Sequence, residues 1–525
     1  MSLEKVAALQ FFRYPLSGPW VLGFLHTFLL LRGGEEGLPF VREGEGLEGI
    51  ATIILAAGKG TRMKSDLVKV LHPLLGLPLL AYPIDLSLSG IKAEKTIVVV
   101  GYQADKIRES FRDPQILFAL QEDQLGTGHA VLQALPLLKG FKGIVLILCG
   151  DVPLVKEETV LGFIKDFKKN QSILSVMTVA VENPSGYGRI LRNAEGCIEK
   201  IVEAKDASER EKAILEINTG IYCVNAPFLE ESLEEIGKEN AQGEYYLTDL
   251  VEIANRKGLR CSAYQVSNPI EVMGINTRID LAMANEALRQ EKLRALMLSG
   301  VTLIDPKATY IDLRVEVGKD TVINPNCLLQ GNTRIGERCT IESNVKISDS
   351  VIGNEVTIRA NSVITESKIE DDAAIGPFAH LRPLTEVKAK AKIGNFVEVK
   401  KSVIGQGSKA NHLTYIGDSL VGEGVNVGAG TITCNYDGFE KHQTIIGDRV
   451  FVGSNVELVA PVKIGKDATI GAGTTVTKNV PDGALAISRV KQKNIRGWSK
   501  KTELHRQEKN REKNREKNNE KKRKE

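Results

Sequence analysis

The chain has 525 residues, 42% of them apolar and 26% charged, which suffices for the cores of two to four domains and excludes a disordered or fibrous protein. The formal charge is +3, but Lys500–Glu525 holds twelve basic and six acidic residues, so the rest of the chain stands at −3. The basic balance is therefore a property of the tail, and the body carries no nucleic-acid-binding face. The seven cysteines (149, 197, 223, 261, 327, 339 and 434) include no pair at the spacing of zinc or redox motifs, and they read as reduced thiols of a cytoplasmic protein.

Residues 1–48 form an extension outside the catalytic fold. Its apolar stretch, Pro19–Leu31, is shorter than the ~20 residues a spanning helix needs, and no stable membrane insertion is expected.

From Ala51 the chain reads as an apolar strand, a Gly-rich turn and a basic segment: ATIILAAGKGTRMKSDLVKVLH. A strand apolar on both faces belongs to a buried parallel sheet, and open α/β sheets bind ligands at the carboxyl ends of their strands. Gly58 and Gly60 let backbone N–H groups approach phosphate oxygens, while Lys59, Arg62 and Lys69 supply positive charge. The loop fits neither GxxxxGK[ST] nor GxGxxG, which argues against P-loop NTPases and dinucleotide oxidoreductases. Thr96–Val100, Gly143–Cys149 and Ile173–Val181 continue a βαβ alternation of mostly parallel strands. Asp151, at the end of one of them, is either a magnesium ligand or the cap of the next helix.

The motifs LAAGKGTRM, QEDQLGTGHA, GDVPL, GYGRI, EAKDA, EINTG and NAQGEYYLTD together resemble the sugar-1-phosphate nucleotidyltransferases, in particular the N-acetylglucosamine-1-phosphate uridyltransferase branch, over residues 49–276. The resemblance implies that Leu55, Ala56, Ala57 and Gly58, with Gln121, Gly126 and Thr127, hold the uridine of UTP. It places N-acetylhexosamine on Gly188, Glu203 and Asn218, Mg2+ on Asp151 and Asn276, and the phosphates on Lys69 and Arg62. Val68 and Cys149 stand where the family usually has proline and tyrosine.

Residues 277–300 read as a linker helix with Ile279, Ala282, Met283, Leu288, Leu293, Leu296 and Met297 as its apolar side. Beyond them a six-residue period appears in twelve units, from IGERCT at 335 to IGAGTT at 470. It fits neither a helix nor a flat strand, and predicts a parallel β-helix over 301–490 in which leading aliphatics stack coil on coil. The period breaks at 380–392, near 409–415 and at 433–444. FAHLRP, NFVEVKKS, HLTYIGD, NVGAGTITCNYDG and AISR make this half similar to the left-handed β-helix acyltransferases, specifically glucosamine-1-phosphate N-acetyltransferase domains. Thioester aminolysis needs a base near neutrality, which suits His412. The resemblance implies Arg382, Lys400, Tyr415 and Asn426 for glucosamine-1-phosphate, and Ala429, Asn435, Tyr436, Ser454, Ala472 and Arg489 for acetyl-CoA. It also implies a homotrimer and, for the whole chain, synthesis of UDP-N-acetylglucosamine, a peptidoglycan and lipopolysaccharide precursor. Asn411 stands where the family has glycine. Residues 491–525 read as a disordered basic tail.

Overall fold

A computed structural model describes residues 49–488 and 490–524, so the expectations for the 1–48 extension and for Arg489 lie outside the described residues. Seven strands form the main sheet of the first half: β1 (Ile50–Ala56), β2 (Lys95–Val100), β3 (Ile116–Leu120), β4 (Ile144–Cys149), β5 (Leu174–Ala180), β8 (Glu216–Asn225) and β9 (Cys261–Val266). A short hairpin, β6 (Arg189–Arg192) and β7 (Ile198–Val202), joins its margin. The order is β9-β5-β8-β4-β1-β2-β3, parallel except for β8, which runs against both neighbours. Sequence patterning missed β3, β8 and β9, whose exposed or polar residues interrupt the apolar run. Along β1, Ala51 and Ile53 enter one core while Ile50, Ile54 and Ala56 enter the other, so the strand is buried on both faces and its loop emerges at the carboxyl edge. Helices α1 (Thr127–Leu138) and α2 (Glu157–Lys169) cover the sheet.

Helix α3 (Arg278–Leu298) opens with a capping box, Thr277 with Asp280. Its buried side differs from the expected stripe: Ile279, Met283 and Met297 are exposed, whereas Arg289 and Lys292 are buried beside Leu281, Ala284, Leu293 and Leu296. The cause is the open backbone at the first β-coil. Arg289 donates to the carbonyls of Pro306 (2.6 Å) and Thr309 (3.1 Å), and Lys292 donates to that of Val315 (2.7 Å). The helix therefore meets a polar rim, and two cations satisfy acceptors that leucines would orphan. A hairpin of the first half, Pro73–Leu74 with Leu77–Pro78, reaches the same coil, where Leu313 N–H donates to Leu75 (3.0 Å).

The second half is a left-handed parallel β-helix. Leu303, Ile323, Ile341, Ile358, Ile375, Ile393 and Ala410 stack in register through successive coils. The coils begin at Thr302, before the first repeat visible in the sequence, because most of their leading positions there, Leu303, Ile311, Ile323 and Leu329 among them, lack the following glycine. Corners turn on residues of positive φ, many of them Asn, Asp or Gly, including Asn326, Asn344 and Asn361. At one corner Phe378, Phe396 and Leu413 occupy such positions instead and stay exposed. The tail also departs from expectation: Trp498–Lys524 is a helix, α4, with every described side chain exposed from Trp498 to Asn519. Lys, Arg, Glu and Gln favour helix intrinsically, and this helix has no apolar stripe with which to pack.

Candidate functional site

Two polar centres stand out, one in each half. In the first, the loop after β1 folds over Lys69: a Cβ on Gly60 would lie 2.5 Å from that of Lys69, so only glycine fits this left-handed position (φ 62°). The Lys69 ammonium donates to the carboxylate of Asp151 and to the Asn276 side-chain oxygen (3.1 Å), and Arg62 donates to the same oxygen (2.9 Å). Asp151 caps no helix, since the next begins at Glu157 behind Lys156. Its carbonyl accepts from Ile275 N–H (2.8 Å), and Asn276 N–H donates to Asp280 in the α3 capping box (3.0 Å). The start of the linker helix thus fixes Asn276 opposite Asp151. One carboxylate and one amide oxygen converge on a point that already holds a cationic group. Such hard oxygens, few in number, fit a Mg2+ ion that keeps phosphate and water among its ligands.

Beside this centre, Gln121 is buried and donates to the Gly126 carbonyl (3.1 Å), with His129 Nδ1 also at 3.1 Å. The QLGTGHA and GEYYLTD segments lock together: Gly128 N–H donates to Tyr245 (2.8 Å), Tyr245 N–H to Leu125 (2.8 Å) and Leu247 N–H to the Thr127 hydroxyl (3.1 Å). Gly126 has φ 110°, and a Cβ there would meet the Tyr245 carbonyl at 2.5 Å. Leu55 to Gly58 form the loop end of β1 beside these segments, where the Ala57 carbonyl accepts from Tyr102 N–H (3.3 Å) and Leu55 from Gly150 N–H (2.9 Å). Asn218 sits at the β8 bulge, donating to the Tyr222 hydroxyl (2.8 Å) while its N–H donates to Gly188 (2.9 Å). A Cβ on Gly188 would touch Glu203 at 3.4 Å. Burial, then the like charges of Asp206, Asp249 and Glu244, raises the Glu203 carboxyl. Cys149 lies under Gly220, and burial with the Asp151 charge pushes its thiol up to about 12. It is a packing group, not a nucleophile.

The second centre wraps the β-helix corner marked by Phe378, Phe396 and Leu413. Two long strands turn that corner in register, β10 (Lys392–Lys400) and β11 (Lys409–Gly417), placing Asn395 beside His412 and Glu398 beside Tyr415. His412 is exposed and its Nδ1 lies 2.9 Å from Asn395 Oδ1. An amide oxygen only accepts, so Nδ1 carries the proton, and in the neutral ring the lone pair is on Nε2. Around the corner Arg382 donates to Glu398 (2.8 Å). The Lys441 ammonium beside Lys400, then burial, holds Lys400 below the usual lysine range, and Arg382 adds further positive charge. Clustered cations of this kind make a receptor for a dianion. Tyr415 folds over Gly417, where a Cβ would lie 2.4 Å from its hydroxyl, and Asn435 donates to Asp418 (2.6 Å).

The remaining sequence-predicted residues of this half lie on the coils that follow His412. Asn426 lies one coil above Lys409. Ala429, Ser454 and Ala472 run along the corner, linked by Asn455 N–H to Ala429 (2.8 Å) and Gly473 N–H to Ser454 (2.9 Å). Tyr436 projects on the loop that interrupts the repeat, 60% exposed. Sequence reasoning missed Asn395, Glu398 and Lys441. The first could have been found from the repeat, because Asn395 and His412 differ by 17 residues, one coil.

Comparison with known proteins bears on both centres. A nucleotidyl transferase family model matches residues 51–268, a GMPPB C-terminal domain model 310–382, and a model of the hexapeptide repeat of succinyl-transferase 443–478. The chain is 53% identical to the bifunctional protein GlmU of Geotalea uraniireducens over 456 residues, 87% of this chain and 100% of that protein. The chain belongs to the bifunctional GlmU family. Other GlmU proteins show the same extent: that of Pelobacter propionicus is 53% identical over 86% of this chain and 98% of its own, and that of Listeria welshimeri 47% over the same shares. The chain is an enzyme that joins a uridyltransferase half to a glucosamine-1-phosphate acetyltransferase half for UDP-N-acetylglucosamine synthesis. Among the described residues no helix is long and apolar enough to cross a membrane.

Proposed function

We propose that the two centres divide the reactions as follows. In the β-helix half, Arg382 and Lys400, with Lys441, hold the phosphate of glucosamine-1-phosphate, and Tyr415 and Asn426 flank the sugar. His412 Nε2 takes the proton from the amine as its nitrogen attacks the thioester carbonyl, and returns it to the departing CoA sulfur. Asn395 keeps the imidazole in the tautomer that can do so. Acetyl-CoA lies along Ala429, Ser454, Ala472 and Arg489, with Asn435 and Tyr436 near the acetyl end.

In the first half, Gln121, Gly126 and Thr127 with Leu55–Gly58 hold the uridine, and Gly188, Glu203 and Asn218 hold N-acetylglucosamine-1-phosphate. Its phosphate oxygen attacks the α-phosphorus of UTP in line and pyrophosphate leaves, so catalysis rests on positioning and charge neutralisation. Lys69 and Arg62 neutralise the phosphates. Asp151 and Asn276 would hold Mg2+, which supplies further charge neutralisation when bound.

The observation that carries this reading is that each half gathers its own polar centre, a cation-bridged Asp151–Asn276 pair in the first and, in the second, an Asn395-bonded imidazole on the β-helix that also clusters Lys400, Lys441 and Arg382. The exposed Phe378, Phe396 and Leu413 beside His412 support a homotrimer in which a neighbouring chain covers that corner. Cysteines without disulfides support a cytoplasmic enzyme. A split assay tests the division, following CoA thiol from glucosamine-1-phosphate plus acetyl-CoA and pyrophosphate from N-acetylglucosamine-1-phosphate plus UTP. His412→Ala should abolish only the first signal and Asp151→Ala only the second. Pyrophosphate without CoA release in the unaltered protein would reduce the β-helix to an assembly module.

A further inference from the structure

A cleft of about 130 Å³ lies where the two halves and the linker helix meet, apart from both centres. The first half contributes Leu86, Leu154, Val155 and Ile270 to its walls, α3 contributes Leu288, and the first β-coil contributes Leu313. Apolar walls at a domain boundary are the setting of small-molecule sites, and the volume limits the occupant to a small one. The cleft's ionisable groups are mostly acidic. Asp85, Glu157, Glu271 and Glu291 line it, and Lys156 is the one cation among the lining residues, shared between Glu291 (3.3 Å) and Glu271 (3.7 Å). Asp85 is 7% exposed and accepts from the Ser89 hydroxyl (3.1 Å). Burial pushes the Asp85 carboxyl up to about 7 and the Arg314 guanidinium acts on it from beside the cleft, but acidic groups still outnumber basic ones around the apolar floor, which favours a cation carrying apolar surface over an anion.

We propose that this cleft binds a small organic cation with an apolar body, an aryl- or alkylamine, and that its occupancy modulates uridyl transfer. The coupling has a short route. Pro153 and Leu154 line the cleft two and three residues after Asp151, while Ile275, bonded to Asp151 through its N–H, precedes Asn276. A ligand wedged between this segment and Leu288 acts on the spacing of the two side chains that Lys69 bridges. The acetyl-transfer corner shares no residue with the cleft.

Isothermal titration of the full chain with phenethylamine, and with phenethyl alcohol as its neutral counterpart, tests the site. The amine should saturate at one per chain and bind about tenfold tighter or more than the alcohol, the scale of one charge-assisted contact. Asp85→Asn should bring amine affinity to that of the alcohol, and Leu288→Trp, which fills the cleft, should abolish both. Retained CoA release certifies folding of each variant, and Glu291→Gln takes the place of an Asp85→Asn chain that fails that check. With UTP below saturation, the amine should change pyrophosphate release and leave CoA release unaltered. Equal affinity for amine and alcohol, or amine binding that survives Leu288→Trp, overturns the site. Saturation without change in pyrophosphate release overturns its modulating role.

Discussion

Asn395→Ala isolates the group that orients the acetyl-transfer base. In the structure its amide oxygen is 2.9 Å from His412 Nδ1, and β10 and β11 hold the two side chains opposite each other. A neutral hydrogen bond of this kind is worth about 1 kcal/mol net, so losing it should cost roughly fivefold to tenfold in the fraction of correctly oriented, correctly protonated imidazole. The expected result is a kcat for CoA release lowered by about that factor, with KM for glucosamine-1-phosphate and pyrophosphate release unchanged. Asn395→Asp sharpens the test. A carboxylate at that distance favours the imidazolium over the free base. The acidic limb of the kcat/KM profile for CoA release should then move to higher pH while the alkaline plateau persists. An Asn395→Ala enzyme with unaltered kcat, or an Asn395→Asp enzyme with an unmoved limb, would refute the role assigned to this amide.

Two further predictions concern the joint between the halves. Burial pushes the Lys292 ammonium down to about 8, against an ordinary value near 10.5. Between those values the unfolded chain holds the proton that the folded chain has lost, so this residue's contribution to stability rises with pH across that window, by about 3 kcal/mol in all. Lys292→Met removes both the burial cost and the bond to Val315. It should therefore match the native chain within about 2 kcal/mol in urea melts at neutral pH and fall behind it at the alkaline end of the window; a pH-independent difference would count against the argument. Gly76 has φ 86°, and a Cβ there would stand 2.7 Å from the Asp312 carboxylate, which itself accepts from Gly331 N–H. Gly76→Ala should cost about 1–3 kcal/mol, read as a lower denaturation midpoint, and unchanged stability would mean the hairpin does not clamp the coil.

What the sequence disclosed follows from how local each signal is. The Gly-rich loop and the hexapeptide period are contiguous, and both appear in the structure as read. Asp151 was ambiguous in sequence because a cap and a metal ligand use the same carboxylate, and the start of α2 at Glu157, behind Lys156, excludes the cap. Asn395 and Lys441 gain their meaning from coil height and loop return, which composition does not encode. The α3 stripe misled for a different reason. Apolar periodicity predicts burial against an apolar face, whereas Arg289 and Lys292 face backbone carbonyls. Helix α4 shows the converse, intrinsic propensity acting where no packing signal exists.

The stacked coils also set a travel distance. From the first coil to the one carrying His412 there are six register steps, roughly 30 Å at about 4.8 Å per step, and the Asp151 centre belongs to the half that precedes the first coil. With the reactions divided as proposed, no side chain spans such a gap, and the acetylated sugar phosphate should pass through bulk water between them. Unlabelled N-acetylglucosamine-1-phosphate added to the medium should then dilute isotope carried in from labelled glucosamine-1-phosphate, and the flux of the whole enzyme should depend on the volume around it.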